Sequence, residues 1–258
     1  MNLREFVDEN FHHFNAGELA RCSRSLEGFL ESGGKLMVTL AGALSTAQIG
    51  RTLAPAIRAG FVSAISCTGA NLEEDLFRLI AGEKYESVDW RNLTEEGDLA
   101  LGKKGMNRVT DTCIPESEAV REIEKLLVPK WCAADLSEQT KPAHEYLFDI
   151  FDDFDFEEGD PTLSRSWLLA AKECSIPIYT PGWADSTLGN IFAARVVDGK
   201  ISNSNIIAND VERMVALAQW YRTQDSPVGF LQVGGGIAGD FPICVVPMLR
   251  QDLGGDAP

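Results

Sequence analysis

The stretch that most constrains the fold runs from Lys35 to Asp75, and it states one design twice. An apolar run, Leu36 to Leu40, meets Ala41, Gly42 and Ala43; Leu44 and Ser45-Thr46 follow, and then a helical pattern. A second apolar run, Phe61 to Ser66, meets Thr68-Gly69-Ala70-Asn71, where another helix begins. Short β-rich runs that end on small residues before a helix are how α/β folds build a ligand crevice. The small residues let backbone N–H groups approach a ligand closely. The helix N-terminus adds unpaired donors and partial positive charge, which suits a phosphate. Asn71 with Glu74 three residues on has the spacing of an N-cap and its capping-box partner. Any strand–turn–helix unit needs small residues and caps, so one unit alone favours a purely structural reading. Two in tandem make a nucleotide-type site an equal contender, although the full GxGxxG spacing is absent.

The rest of the chain continues the alternation. Leu19, Cys22, Leu26, Phe29 and Leu30 predict a helix over 16–30, capped at Asn15 and stopped by Gly33-Gly34. It follows an aromatic leader with Phe6, Phe11 and Phe14 that could pack on a neighbouring subunit. After a helix over 72–81, residues 83–115 lack periodicity and read as a long, partly helical excursion. Val120, Ile123, Leu126 and Leu127 predict an amphipathic helix ending at Pro129, and a further helix is expected over 138–150. The run Asp149 to Pro161 holds seven acids interleaved with phenylalanines; it reads as a solvated acidic loop, since nothing in it announces a metal geometry. A helix over 162–174 is expected to turn Trp167, Leu168 and Ala171 inward. Ile176 to Thr180 is a third β-run, delivering Pro181 to Asn190. There Asp185 is either a ligand contact or a helix cap. A helix over 206–222 is expected to bury Val211, Met214, Val215, Ala218 and Tyr221. Val228 to Val233 is a fourth β-run, entering Gly234-Gly235-Gly236, which lets backbone pass close to a ligand or to its own neighbours. Strands alternating with helices point to an α/β fold, Rossmann-like, with a parallel sheet and helices on both faces.

The 258 residues carry 39 acids against 23 bases, a net charge of -16. That excludes a general nucleic-acid binder, which needs a basic footprint. It is compatible with a cationic substrate, and equally with simple solubility. Six scattered cysteines form no CxxC, and three histidines pair with none of them, so no metal site is expected. No signal peptide or long apolar run is visible, and a cytoplasmic protein is expected, with no membrane and no nucleic-acid partner.

Five segments, taken in order, are together distinctive: TLAGALSTAQIGRTLAPAIRAG, SCTGANLEEDL, GMNRVTDTCIPE, PIYTPGWADSTLGN and LQVGGGIAGDFPICVVPML. In this order the chain resembles the deoxyhypusine synthase family, and most of all its bacterial deoxyhypusine-synthase-like branch. The resemblance implies one NAD-binding α/β domain over 1–258 with an N-terminal helical extension, assembled as a homotetramer with active sites at subunit interfaces. It implies an aminobutyl transferase of polyamine metabolism. In such enzymes NAD takes a hydride from spermidine beside its secondary amine, diaminopropane leaves, an acceptor amine captures the butyl imine, and the hydride returns. The family pattern places NAD contacts at Ala41, Gly42, Ala43, Leu44, Ser45, Thr68, Gly69, Ala70, Glu74, Asp185, Gly234, Gly235 and Gly236. It places polyamine contacts at Glu73, Glu74, Asn190 and Asp240. A row of ammonium groups needs such carboxylates if it is to be buried; the structural alternative for Glu73 and Glu74 is a first helical turn complementing the dipole.

Two positions depart from the family pattern. Asn190 stands where an aspartate is usual, and Asp240 lies where eukaryotic members carry a histidine after the triple glycine. These favour a free amine such as putrescine as acceptor, giving homospermidine. A protein lysine, or a non-catalytic NAD- or polyamine-binding scaffold, is the alternative. The family's imine-forming lysine belongs to a C-terminal stretch expected to lie beyond Pro258; the last lysine here is Lys200.

Overall fold

Alternation within the first apolar run sets the architecture. In the computed structural model, which describes residues 1–154, 156 and 160–255, Lys35–Leu40 forms strand β1. Its side chains divide between two cores, as the two-residue period of a strand requires. Leu36, Val38 and Leu40 enter the larger core on one face, while Met37 enters a smaller core on the other. β1 is buried on both sides because it is central. It pairs in parallel with β2 (Ala64–Cys67) on one side and with β7 (Val228–Val233) on the other. β6 (Ile178–Tyr179) extends the sheet beyond β2, also in parallel, giving the order β6-β2-β1-β7. Chain progression therefore runs outward from β1 through β2 to β6, then jumps across to β7. The reversal falls between β1 and β7, where open α/β sheets make a crevice beyond their carboxyl ends.

The helices fill in around this sheet. α1 (Leu3–Asn10) and α2 (Phe14–Glu31) precede it, and α1 leaves Leu3 and Phe6 exposed. α3 (Gly50–Arg58) follows β1, and α4 (Gly69–Ala81) follows β2. β3 (Glu86–Ser87), α5 (Glu95–Lys103), β4 (Met106–Val109) and β5 (Thr112–Pro115) come next; the strands pair as a three-stranded antiparallel sheet. The long excursion over 83–115, expected to be partly helical, carries α5 and, beyond the expectation, a small antiparallel sheet. A π-helical turn over 116–120 leads into α6 (Arg121–Ser137), then α7 (Ala143–Asp153). α8 (Pro161–Arg165), α9 (Trp167–Glu173), α10 (Thr187–Val197), α11 (Asp210–Arg222), α12 (Ile237–Ile243) and α13 (Val245–Pro247) complete the described fold.

Four expectations change. α6 runs through Pro129 to Ser137. Pro129 and Lys125, whose carbonyl loses its helical donor, both lie exposed, so water can satisfy the freed oxygen. The helix over 162–174 is two helices broken at Ser166, whose hydroxyl caps the second. α11 turns Leu217, Ala218 and Tyr221 inward but leaves Val211 74% and Val215 52% exposed. His13, not Asn15, precedes the first turn of α2. The acidic run also divides. Its start closes α7, Asp160 caps α8, and Asp155, Glu157, Glu158 and Gly159 lie outside the described residues.

Candidate functional site at the carboxyl edge of the sheet

Because all four strands are parallel, the segments that leave them gather at one rim: 41–49, 68–70, 180–186 and 234–236. Contacts between these segments confirm the convergence. The Thr68 hydroxyl donates to the Gly42 carbonyl at 2.7 Å, and the Ala41 N–H donates to Val233 O at 3.0 Å. Gly234, at φ 86°, lies so close to Ala41 that a Cβ there would sit 2.8 Å from the Ala41 Cβ. Gly42, at φ 60°, makes the turn in the first loop with open space around it.

One buried side chain holds the first loop in shape, and it is not a cap. Thr68 caps α4, its hydroxyl accepting the Asn71 N–H; Asn71 lies inside the helix and is fully buried. Its Oδ1 accepts the Ser45 N–H at 3.0 Å. Its Nδ2 donates to Gly42 O at 2.8 Å and to Thr68 Oγ1 at 2.9 Å, with Leu40 O and Ala41 O at 3.2 Å. Ser45 returns a bond from its hydroxyl to Asn71 O at 2.6 Å and accepts the Trp167 indole N–H at 2.9 Å. The Ser45 side chain is therefore committed to the scaffold, leaving backbone as what this loop offers a ligand. The capping-box expectation failed because the partners of Asn71 lie far back in sequence.

The three acids Glu73, Glu74 and Asp75 have divided roles. Glu73, 2% exposed, accepts the N–H groups of Thr187 at 2.9 Å and Leu188 at 2.7 Å, closing the N-terminus of α10. Burial pushes its carboxyl up, against those two bonds. Asp75 accepts the Ser166 hydroxyl at 2.6 Å and the N–H groups of Leu168 at 3.1 Å and Trp167 at 3.3 Å, closing the N-terminus of α9. Burial moves its carboxyl up to about 6 despite these partners. Glu74, between them, is 7% exposed, and its Oε2 has no hydrogen-bond partner among the described residues. Burial first, then the Glu73 charge, push Glu74 up to about 7, against the Thr46 N–H and Arg78. A buried carboxylate with one oxygen left unsatisfied, beside two acids that are fully engaged, is the arrangement expected of a functional group.

The helix N-termini at the rim are similarly sorted. Glu73 and Ser186 satisfy the first N–H groups of α10, and Gly69 packs so tightly there that an added Cβ would come within 2.5 Å of Ser186 Cβ. The glycine at 69 thus serves helix-to-helix approach. At α4 the Gly69 and Ala70 N–H groups have no acceptor among the described residues, and neither do those of Gly42 and Ala43. These four unmatched donors sit on loops joined through Thr68 and Asn71, two of them at the N-terminus of α4, where the helix dipole favours negative charge. Leu44 follows Ala43 and packs against the core.

On the other side of the rim, Trp183 packs edge-on to Trp131 and beside Phe192, with ring centroids 6.3 and 5.8 Å away. This fixes the 181–186 loop. The cap of α10 is Ser186, so Asp185 is released from that role; its carboxylate is exposed and unpaired among the described residues. Asn190 donates from Nδ2 to Ser186 O at 2.8 Å and to Ala184 O at 3.2 Å. An aspartate could not make these bonds, so Asn190 braces the turn over 184–186. Gly235 and Gly236 are exposed beyond β7, with Gly236 at φ 71° leading into α12, which carries exposed Asp240. Cys67, at the end of β2, is buried with its thiol pushed up to about 12, which makes it an inert packing group. All six cysteines are free, no group of three metal-ligating side chains occurs among the described residues, and no described helix is long and apolar enough to cross a membrane.

Fold and rim together define an α/β protein whose four parallel strands deliver their C-terminal loops to one edge, with Glu73, Glu74 and Asp75 buried in the helix that follows β2. Residues 8–254 match the deoxyhypusine synthase family, and the chain belongs to that family. It is 28% identical over 265 residues to a "Deoxyhypusine synthase-like protein" of Thermosynechococcus vestitus, a match covering 98% of this chain and 63% of the relative. A "Probable deoxyhypusine synthase 1" of Archaeoglobus fulgidus is 26% identical over 236 residues, covering 89% of this chain and 68% of the relative. A crystal structure named for deoxyhypusine synthase, from Entamoeba histolytica, superposes with a TM-score of 0.59 at 12% identity, covering 92% of this chain and 79% of that one. That last likeness concerns the fold alone. The chain spans about 63% of the length of the cyanobacterial relative.

Proposed function

We propose that this chain binds NAD at the rim and serves an aminobutyl transferase, with spermidine as donor and a free amine such as putrescine as acceptor. The observation that carries the reading is the sorting of the three consecutive acids. Two are consumed as helix caps, and the third, Glu74, keeps one buried oxygen, Oε2, without a hydrogen-bond partner among the described residues. In this reading the Gly42, Ala43, Gly69 and Ala70 N–H groups receive the dinucleotide phosphates. Gly234, Gly235 and Gly236 give its ribose room, and Asp185 supplies a carboxylate to a ribose hydroxyl. Bound NAD would accept a hydride from the polyamine carbon and return it. Glu74, titrating near neutrality, holds one substrate nitrogen as an ion pair and can take its proton. Asp240 adds negative charge at the open side, and Asn190 contributes none. Fewer carboxylates for substrate nitrogens is what favours a small free amine as acceptor. Membership of the family supports the same reading, together with a homotetramer in the cytoplasm whose interfaces complete the site.

The test is incubation with spermidine, NAD+ and putrescine, with the amines separated by chromatography. Diaminopropane and homospermidine in equal amounts are expected. Diaminopropane with a lysine-bearing protein acceptor only would move the assignment to a protein-modifying synthase. No diaminopropane with either acceptor, under conditions where NAD+ binds, would leave a binding scaffold and end the transferase reading.

A further inference from the structure

Between the start of α3, the C-terminal end of α4 and the 160–166 segment, and bordered by Ser45 and Gln48 of the loop after β1, lies a cavity of about 630 Å³. Arg51, Arg78, Lys84 and Arg165 line it. Four cations around one cavity are unexpected in a chain of net charge -16, because like charges repel unless something offsets them. Asp75, Glu83 and Asp160 share the lining, but none of them forms an ion pair with these cations among the described residues. Asp75 is held by the N-terminus of α9, and Asp160 by the Thr162 N–H at 2.7 Å. Glu83 is the remaining acid on the lining, and Lys84 reaches Glu118 only at 4.0 Å. Among the described residues the side chains of Arg51 and Arg165 have no hydrogen bond or ion pair. Arg78 is fixed in place: it lies over the Tyr85 ring at 4.2 Å and donates from Nη2 to Thr46 O at 3.1 Å, while its buried Nε has no partner. A pre-positioned guanidinium with a spare donor, facing two unpaired arginines, is the equipment for a multiply charged anion. A second, more open cavity continues from the first past Arg51, Arg165 and Arg58, and the first alone has the size of a small-molecule site.

We propose that this cleft binds a small phosphate-bearing anion, of the size of a nucleoside diphosphate, through arginines distinct from the rim residues proposed to hold NAD. Recognition is by Arg51, Arg78 and Arg165, with Lys84 at the margin. The inference does not rest on the function proposed for the rim. Arg78 links the two places physically, since the carbonyl it holds belongs to Thr46 of the rim loop.

The probe is inorganic pyrophosphate, titrated by calorimetry into the wild-type chain, into Arg51→Gln and Arg165→Gln singly, and into the double variant. Both residues are exposed, and an unchanged thermal midpoint shows that each variant folds. Pyrophosphate is expected to bind the wild type, to bind each single variant more weakly, and to lose at least about tenfold in the double variant. It should also bind with NAD+ present at saturation, and NAD+ titrations should be the same in wild type and double variant. No binding to the wild type, equal binding to the double variant, or full competition by NAD+ would each overturn the proposal. A chain that bound pyrophosphate at these arginines but never bound NAD+ would keep it and remove the rim reading.

Discussion

Asn71→Ala should lower stability by about 3–5 kcal/mol, the upper range for single substitutions, with the m-value of urea unfolding unchanged. Truncation leaves the Ser45 N–H without its acceptor and removes the donor shared by the Gly42, Ala41 and Leu40 carbonyls. Each buried polar group left unsatisfied costs about 1–3 kcal/mol. The site is fully buried, so water reaches it only through a new cavity. Asn71→Asp should be no better, because it presents a carboxylate oxygen to three carbonyls that now receive a donor. Thr68→Ala is the calibration, since it removes the cap and should cost about 1 kcal/mol. A loss at Asn71→Ala no larger than at Thr68→Ala would mean that the loop after β1 is held by something else.

Glu74→Gln should move stability the other way. Burial raises the Glu74 carboxyl from its ordinary 4.5 to about 7. Between those values the native state binds more protons than the unfolded state, so this group's contribution to stability falls as pH rises from about 4.5 to 7 and is constant above. A neutral glutamine removes that cost. The advantage of the variant should be small at pH 4.5 and reach about 1–3 kcal/mol at pH 8, since each tenfold change in proton affinity is worth about 1.4 kcal/mol and the lost Arg78 attraction takes back a part. Asp75, raised to about 6, adds a slope of the same sign to both proteins, so the difference between them reports Glu74 together with the relief of its repulsion with Glu73. Polyamine binding should weaken in the same variant, because the ion pair is gone. Stability gained where function is lost is the pattern of a carboxylate retained for a ligand. A variant less stable than wild type at pH 8 would show that Glu74 is a structural acid like its neighbours.

Much of the rim was legible in the sequence because its determinants are local. The apolar runs at 36–40 and 228–233, the small residues after them and the positive-φ glycines Gly42 and Gly234 each declare themselves within a few residues. The roles of Asn71, Glu73 and Asp75 were not legible. Asn71 binds a loop 26 to 31 residues earlier, while Glu73 closes a helix 114 residues later and Asp75 one 91 residues later. The small residue at 69 was readable as a requirement, but the requirement comes from Ser186. Short strands such as β4 and β5 escaped because four residues carry too little periodicity to separate from a loop. A signal for the anchoring role of the acids did exist: three consecutive acids deep in an apolar helix demand partners. Nothing local said which partners.

The most direct test of the rim as a dinucleotide site is an NAD+ titration of wild type against Ala70→Asp. An added carboxylate in the first turn of α4 suits the helix dipole, so stability should hold or rise slightly, while the same charge opposes a phosphate at the Gly69 and Ala70 N–H groups. NAD+ binding to the wild type, weakened at least about tenfold in a variant of undiminished stability, is the predicted result. Equal affinity in the two proteins, or no NAD+ binding by either, would contradict it.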